Sequence, residues 1–551
     1  MPTAAGERRR IPPGTYAVFL VLCALVVFSS HLPLIGLPYY WDEIGQFIPA
    51  ALDILHGGSI FDSKSWIPHS TVPNIHPPAV MGYLAAVWSV AGFHPVATRC
   101  AMLLLASGAL FAAFLLAIEL SRGLRGMPAL AAAGLLAVSP LFFAQAMLAQ
   151  LDAPAMLFTT LALLFFLQDR IRLSAAVCVA LVLVKETGLV APLVFALWLT
   201  HEKRWRDARY FVAPAVVLAA WIVVLALRTG HWTGNADFVR YNVYEPLHPA
   251  HLAATLLRRL YFLLIADFHW VGAAAMWIAW RRSGLFRTRE WKVAWLLVAA
   301  HVVAFTLLGG AVLERYLLPA MPILYIGMAA GLWQLGRVPK LAGTAILLAG
   351  LAAGNFVNPP YPFPLEDNLA FTDFIKLHAT VADFLEQQYP GARVDTTWPL
   401  TAELEQPKFG YVSRGLAVRL LPDLTPRTLE TIDWKWVQVL VAYSRDVPWQ
   451  PLWQRISSYA PAATREQLRA HVPFPAAASF ERHGQWVEVY VNPVGPPGRE
   501  QRWERRKRVR LNAPAATREL RARVPFPAAA SFERPGQWVE VYVNPVGAAR
   551  P

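Results

Sequence analysis

Apolar runs of membrane-spanning length fill the chain between residues 15 and 357 and become sparse after residue 358. A transmembrane helix needs about 20 predominantly apolar residues. The runs that reach or approach this length are 15–36, 98–119, 128–147, 153–168, 209–228, 257–280, 293–311, 315–335 and 341–357. The pattern predicts a polytopic α-helical membrane domain over residues 15–357, with about 10–12 transmembrane or re-entrant helices.

Two further stretches fit a single span poorly. Residues 77–94 are short and follow a His-Pro-Pro sequence, whereas residues 173–200 are too long for one ordinary helix and are interrupted at Lys185 and Glu186. We expect 77–94 to lie along the membrane interface or to dip back into the bilayer. We expect 173–200 to form two short halves, with Lys185 and Glu186 at the turn between them.

The composition supports a membrane protein, since 56% of the residues are hydrophobic and 16% are charged. Soluble domains are about half apolar and about a quarter charged. The formal net charge of +14 would also suit a nucleic-acid-binding protein,. However, the basic residues cluster in short segments between apolar runs, which is typical of cytoplasmic loops,. We therefore expect the lipid bilayer as a partner, and no nucleic acid.

The positions of these basic clusters predict the orientation of the chain. If they are cytoplasmic, residues 1–14 form a cytoplasmic tail and the first helix runs outward,. The first external loop then covers residues 38–97. By the same parity, residues 229–256 and everything after residue 358 lie outside the cytoplasm.

The region after residue 358 has a different pattern. A proline-rich linker is followed by helical and strand-like segments in alternation, which predicts a small extramembrane α/β domain over residues 358–495,. Residues 460–495 recur almost unchanged at 513–547, after a basic linker at 496–512. We expect the duplicated segment, 513–551, to be dispensable or to compete with the first copy for the same edge of the domain.

Two adjacent carboxylates, Asp42 and Glu43, follow the first apolar run. Acidic residues this close to a bilayer are costly and are often functional. They can cap the start of an interfacial helix. They can also provide a general base, or a clamp for a hydroxyl nucleophile or a metal ion. At the other end of the same loop, His76 precedes two prolines and is either part of an interfacial turn or a fixed polar group above the headgroups.

Other polar residues interrupt the apolar runs. Asp152 is either a helix N-cap or a site residue. Lys185 either neutralises Glu186 or binds phosphate. Arg315 and Tyr316 are either interfacial anchors or a fork for phosphate oxygens. With Asp42, Glu43 and His76 these residues fall on one predicted face, which suits a site that binds a phosphate leaving group and deprotonates an acceptor.

A metal site has weaker support. The spacing His248-x-x-His251 could contribute two ligands in the external segment 229–256, but no third ligand is evident from the sequence,. We therefore assign no cofactor and keep a divalent metal as a possibility.

The order of these motifs resembles the bacterial polyprenyl-phosphate-sugar-dependent glycosyltransferases of the GT-C superfamily. Within this superfamily, residues 15–357 are similar to the branch of protein O-mannosyltransferases, lipid A aminoarabinose transferases and lipopolysaccharide-core galacturonosyltransferase-like proteins. The motifs that carry the resemblance are Trp41-Asp42-Glu43, His76-Pro77-Pro78, Asp152, Lys185 and Arg315-Tyr316-Leu317-Leu318-Pro319.

The resemblance implies that Asp42 is the catalytic carboxylate, with Glu43 as its acidic neighbour. It implies that the donor phosphate and the substrate are bound by His76, Asp152, Lys185, Arg315 and Tyr316. The implied reaction is an inverting transfer from a polyprenyl-phosphate sugar to a lipid, protein or polysaccharide acceptor, at the periplasmic face of a bacterial inner membrane. Some relatives have a metal-binding Glu where this chain has Ile75, so the resemblance does not supply a metal site.

A function of another class also fits buried charges in a polytopic protein, namely a transporter or flippase of a lipid-linked or small anionic substrate. Charges of a transport pathway lie near the membrane midplane, often within inverted repeats. Here the charges lie at segment ends and no inverted repeat is evident. A membrane scaffold for the α/β domain would leave Asp42 and Glu43 without a role. The glycosyltransferase is therefore the favoured hypothesis.

Overall fold

The structure is a computed structural model. It describes residues 13–59, 75–121, 124, 128–244, 247–308, 312–361, 363–444, 463–493, 528–534 and 537–542. The predicted linker 496–512, residues 1–12 of the N-terminal tail and the duplicated segment outside its two strands lie beyond these residues.

The part of the chain before residue 355 is helical, as its apolar runs require. Its α-helices are α1 (Pro13–His31), α2 (Ile48–Leu55), α3 (Ala79–Ala91), α4 (Pro95–Leu120), α5 (Pro128–Val138), α6 (Pro140–Ala146), α7 (Asp152–Leu167), α8 (Ile171–Val184), α9 (Val190–His201), α10 (Trp205–Ala208), α11 (Val212–Thr229), α12 (Ala236–Val239), α13 (Pro249–Leu264), α14 (His269–Arg282), α15 (Arg289–Leu307), α16 (Met321–Trp333) and α17 (Arg337–Gly354).

The predicted class, a polytopic helical membrane protein with a small α/β region, is confirmed. Among the described residues, 5 helices are long and apolar enough to cross a membrane, or up to 7 if each bent pair is one span. Three shorter apolar helices, α3, α7 and α8, accompany them. In the most apolar stretch of the segment that contains α16, 89% of the residues are buried. The corresponding shares are 67% for α4 and 11% for the segment that contains α1. Thus α4 and α16 lie at the centre of the helical part, and α1 presents an apolar surface suited to lipid.

Three apolar runs are broken rather than continuous. The interruption expected within 173–200 is present, since α8 ends before Lys185 and a 3₁₀ turn, Glu186–Leu189, leads into α9. The run 128–147, expected as one span, bends by 65° between α5 and α6. Pro140 begins α6 there and cannot donate the backbone hydrogen bond that would continue α5,.

The run 257–280, which was also expected as one span, is bent in the same way. It is divided between α13 and α14, which are bent by 45°. Asp267 and Phe268 have φ angles of 50° and 62°, which are left-handed and end a right-handed helix,. Gly350 and Gly354 of α17 lie against this break, where an added Cβ would collide with Asp267. The close approach of α17 therefore accompanies the bend.

The C-terminal region forms a five-stranded sheet with the strand order β2-β1-β3-β5-β4. Strand β1 pairs in parallel with β2 and β3, and β5 pairs in antiparallel fashion with β3 and β4. The edge strands β2 and β4 were not recognised in the sequence. The elements are α18 (Ala370–Gln388), β1 (Arg393–Thr396), α19 (Leu400–Glu405), β2 (Ala417–Leu420), α20 (Pro426–Thr431), β3 (Val439–Tyr443), α21 (Arg465–His471), β4 (Ala476–Arg482) and β5 (Gln485–Val491).

The duplicated segment forms a separate two-stranded sheet of β6 (Ala528–Arg534) and β7 (Gln537–Tyr542). Its register reproduces that of β4 and β5: Phe532 is opposite Val539, as Phe480 is opposite Val487. The identical strand sequences therefore pair in the same register in both copies. That the second copy is dispensable stays a prediction.

The α/β domain packs on the first external loop. The backbone N–H of Tyr39 donates to the carbonyl of Phe409 over 3.1 Å. The hydroxyl of Tyr411 donates to the carbonyl of Tyr39 over 2.8 Å. The rings of Trp41 and Trp398 meet edge to face at 4.9 Å between centroids. The domain thus holds the three aromatic residues that directly precede Asp42.

Candidate active site

A cavity of about 420 Å³ is lined by residues from the segment after α1, the turn between α8 and α9, the 3₁₀ helix before α16 and the domain linker. A space of this size is in the usual range of small-molecule sites. Six of the site residues expected from the sequence line it: Asp42, His76, Asp152, Lys185, Arg315 and Tyr316. Residues as distant in the chain as Asp42 and Arg315, which are 273 positions apart, are therefore brought together.

Arg315 is the central cation of the site. It lies on a 3₁₀ helix, Glu314–Ala320, that leads into α16, and its side chain is 7% exposed. Its guanidinium forms an ion pair with Asp42 and another, at 2.9 Å, with Glu366. It also hydrogen-bonds the amide oxygen of Gln150, and its Nε lies 3.5 Å from a carboxylate oxygen of Asp152. A buried arginine is thereby surrounded by three carboxylates, each of which offsets its desolvation.

Lys185 is the second cation. Its ammonium lies 2.5 Å from Asp152, which is the first residue of α7. It also lies 4.3 Å from the centre of the Tyr316 ring and 5.5 Å from that of Phe305. The N-cap position of α7 is occupied by Leu151 and not by Asp152. Of the two interpretations left open for Asp152, the structure therefore favours the charged partner over the cap.

His76 also lines the cavity. Its Nδ1 is 2.8 Å from a carboxylate oxygen of Glu186, the residue after Lys185. Glu186 also lines the cavity. In this turn Lys185 pairs with Asp152, and Glu186 pairs with His76. Lys185 and Glu186 therefore do not simply neutralise each other.

Glu43 does not line this cavity, in contrast to Asp42. Its carboxylate is fully buried and forms a two-point ion pair with Arg99, one contact of which is 2.9 Å. It also accepts the backbone N–H of Ala149 at 2.6 Å and that of Tyr40 at 2.8 Å. Each oxygen of Glu43 thus has two donors. The geometry suits a positioning residue, and not a group that touches substrate.

Arg99 was not recognised as a site residue from the sequence, although its position in an apolar run is unusual. An arginine at the start of the apolar run 98–119 is costly unless it is paired. Its partner could not be identified, because Glu43 is 56 positions away. A basic residue inside an apolar run indicates that an acidic partner is buried elsewhere, but the sequence does not identify that partner.

Glu366 and Gln150 were missed as well. Glu366 lies in the linker before the α/β domain, and its carboxylate accepts from Gln150 at 2.8 Å and pairs with Arg315. Burial, opposed by the charge of Arg315, raises the pKa of Glu366 to about 7,. The acidic pair Glu366-Asp367 after a proline-rich linker was a visible signal, but the linker was interpreted as a spacer.

Trp41 lines the cavity directly beside Asp42. Its φ angle of 40° is left-handed, which is unusual for a bulky residue,. The strain of such a backbone must be offset by surrounding contacts. Here the Trp398 ring at 4.9 Å and the Phe374 ring at 6.1 Å, both from the α/β domain, pack against the indole.

The two histidines considered as metal ligands lie elsewhere. His248 precedes α13 and is exposed, and His251 is half-buried in the first turn of that helix. Neither lines the cavity. Within the residues that the structure describes, no group of three or more histidine, cysteine or acidic side chains is arranged to hold a metal ion.

The arrangement combines two cations, an apolar wall and a carboxylate beside open space. The wall near the cations consists of Phe238, Val243, Phe305, Leu308 and Leu313. Cations in a site shielded from water stabilise a developing anion strongly. A ligand with an anionic head and a hydrocarbon tail matches both features.

No protein-family model and no curated protein matches this chain. It is similar to the solved structure of ArnT from Cupriavidus metallidurans bound to undecaprenyl phosphate, with 14% identity and a TM-score of 0.49 over 89% of this chain and 100% of that one. It is similar to arabinofuranosyltransferase AftD from Mycobacteria, with 18% identity and a TM-score of 0.43 over 88% of this chain and 40% of that one. It is also similar to the oligosaccharyltransferase AglB from Archaeoglobus fulgidus in complex with an inhibitory peptide and a dolichol-phosphate, with 13% identity and a TM-score of 0.44 over 78% and 69%.

Proposed function

We propose that this chain is a GT-C type membrane glycosyltransferase that transfers a sugar from a polyprenyl-phosphate donor to an acceptor hydroxyl. One observation carries the proposal: Arg315 and Lys185 meet the carboxylates of Asp42 and Asp152 in one cavity with an apolar wall. The order of the site motifs along the sequence, which resembles that superfamily, supports the same conclusion.

In the proposed reaction, Asp42 accepts the proton of the acceptor hydroxyl while the hydroxyl oxygen attacks the anomeric carbon of the sugar. The bond between that carbon and the phosphate oxygen breaks, and its electron pair stays on the polyprenyl phosphate. Attack from the side opposite the leaving phosphate inverts the anomeric configuration. The transition state gathers positive charge on the sugar and negative charge on the phosphate, which a carboxylate and two cations would stabilise together.

The remaining residues would position these groups. Lys185 and Arg315 would bind the phosphate, and Tyr316, whose ring faces the Lys185 ammonium, would fix the lysine,. Asp152 would hold both cations in place between turnovers. Glu43 would act through the backbone of Tyr40 and Ala149, and thereby set the direction in which Asp42 points.

The proposed location is a bacterial inner membrane, with the cavity and the α/β domain on the periplasmic face. The support is the placement of the basic clusters between apolar runs on the opposite side,. A lipid-linked donor would then reach the site from the leaflet, past the apolar wall. The acceptor would be a lipid, a protein or a polysaccharide, and the sugar a hexose or a pentose.

The test uses the purified protein in lipid with a panel of radiolabelled polyprenyl-phosphate sugars and a crude membrane extract as the acceptor source. Release of polyprenyl phosphate is followed for the wild type, Asp42→Asn and Arg315→Ala. We expect turnover of one donor by the wild type and a loss in both variants. If no donor is turned over, the proposal fails and a transporter or flippase becomes the better hypothesis, to be tested by movement of the lipid between leaflets.

A further inference from the structure

We infer that Glu366 is a further site residue: its carboxylate occupies the place at Arg315 that the donor phosphate takes, and it gives up that place by accepting a proton. This inference rests on the proposed function. It makes Glu366 a positioning residue that acts through Arg315, and it predicts that donor binding is coupled to proton uptake.

The guanidinium of Arg315 already has carboxylate partners on both terminal nitrogens. One terminal nitrogen of the guanidinium faces Glu366 at 2.9 Å and 3.1 Å and also meets Gln150, while the other terminal nitrogen meets Asp42. The two terminal nitrogens that would bind two phosphate oxygens therefore already contact carboxylates. A phosphate can bind Arg315 in the two-point manner typical of arginine when one carboxylate withdraws.

The charged side chains around Arg315 do not balance one another. Asp42, Asp152 and Glu366 stand against Arg315 and Lys185, so the ionised cluster has one negative charge in excess. Adding an anionic phosphodiester to an enclosed site with this charge is unfavourable. Neutralising one carboxylate removes the excess.

Glu366 is the carboxylate of this cluster that we expect to be neutralised. It lies on the linker and not on a membrane helix, and Gln150 remains a hydrogen-bond partner for its protonated form when Arg315 turns to the phosphate. Burial already raises the pKa of Glu366 to about 7, so its neutral form is accessible near neutral pH. The charged and titratable groups that face Glu366 are Arg315, Asp42, Asp152, Tyr40 and Asp367.

The adjacent Asp367 provides a matched control. It has the same charge and lies on the same linker, but its nearest charged neighbours are Glu314 and Arg258. Burial and Glu314 raise the pKa of Asp367 well above its usual range. Asp367→Asn leaves the contacts of Glu366 with Arg315 and Gln150 in place, so we expect it to change little, whereas Glu366→Gln removes the proposed proton acceptor.

The experiment measures binding and not turnover. The probe is the monomethyl ester of undecaprenyl phosphate, a phosphodiester whose own charge is constant across the pH range used. Its Kd is determined for the full-length protein in lipid nanodiscs between pH 6.0 and pH 8.5. For the wild type we expect Kd to rise about 30-fold over this range, since affinity scales with the protonated fraction of Glu366. For Glu366→Gln we expect tight binding that changes less than about threefold.

The outcomes separate this inference from the proposed function. A pH-independent Kd in the wild type, or the same pH dependence in Glu366→Gln as in the wild type, overturns the inference and leaves the donor class standing. The wild-type profile decides the matter even if Glu366→Gln does not fold. Asp367→Asn must keep the wild-type profile, since a flat profile there would overturn the assignment to Glu366. Absence of binding by the wild type at every pH overturns both the inference and the proposed donor.

Discussion

Asp42 and Glu43 are adjacent in the chain and chemically alike, yet the structure places them in two different environments. Asp42 pairs with Arg315 at the edge of a cavity, and its side chain is 15% exposed. Glu43 pairs with Arg99 in the protein interior, where both side chains are 0% exposed. The comparison shows that two adjacent acids can lie in different environments, and this difference motivates the roles proposed for them: Asp42 for the chemistry and Glu43 for the architecture that aims it.

The largest expected effect is on the buried pair. Glu43→Gln leaves the Arg99 guanidinium buried without a counter-charge, which typically costs about 3–5 kcal/mol. We expect a marked fall in the apparent Tm of the purified protein in detergent, with poor recovery from membranes. Glu405→Gln, on the α/β domain surface, serves as the control for the same chemical change. A stable Glu43→Gln protein that has lost activity would instead place Glu43 in the chemistry.

The next effect is on the cavity pair. Asp42→Asn keeps the size of the side chain and removes the proposed base, so we expect turnover to fall by about 100-fold or more while the apparent Tm stays near that of the wild type. Since loss of a base acts on the chemical step, kcat should fall more than KM changes. An active Asp42→Asn enzyme would keep the proposed class and reject Asp42 as the base.

The outcome for these two residues also shows what the sequence can and cannot predict. Apolar runs predicted the positions of the helices, and parity placed Asp42, Glu43, His76, Asp152, Lys185 and Arg315 on one face, because both depend on local composition. All of these except Glu43 line the cavity. Pairing depends on distant contacts. Nothing local distinguishes Asp42 from Glu43, since the difference arises from Arg99 and Arg315 on helices that are remote in the chain.

Glu366 illustrates a second kind of limit. Its linker was interpreted by its stiffness, which proline content predicts. Its carboxylate belongs to the cavity because the α/β domain folds back on the first external loop, and that packing is tertiary. The breaks at Asp267 and at Pro140 have the same origin: an apolar run indicates that a helix forms, but packing against neighbours decides whether it stays straight.

A smaller effect is expected at the contact between the domain and the cavity. Trp398→Ala removes the edge-to-face partner of Trp41, and such a contact contributes about 0.5–1.5 kcal/mol,. We expect turnover to fall by about two- to tenfold, because Trp41 precedes Asp42 and its left-handed backbone loses support. Trp434→Ala is the matched control, since Trp434 packs on Phe474 within the same domain. An equal loss in both variants would indicate a general weakening of the domain.

The smallest effect is expected on removing the duplicated segment. In the first copy, His483 has a φ of 44° in the turn between β4 and β5, and its ring and Arg482 both contact Asp373. The second copy has Pro535 at that place, and proline is restricted to φ near −65°,. The second copy therefore lacks the histidine that contacts Asp373 of α18 in the first copy. We expect a chain ending at residue 495 to keep wild-type turnover and a Tm within the scatter of replicate measurements, whereas loss of folding on truncation would show that the second hairpin takes the place of β4 and β5 in the sheet.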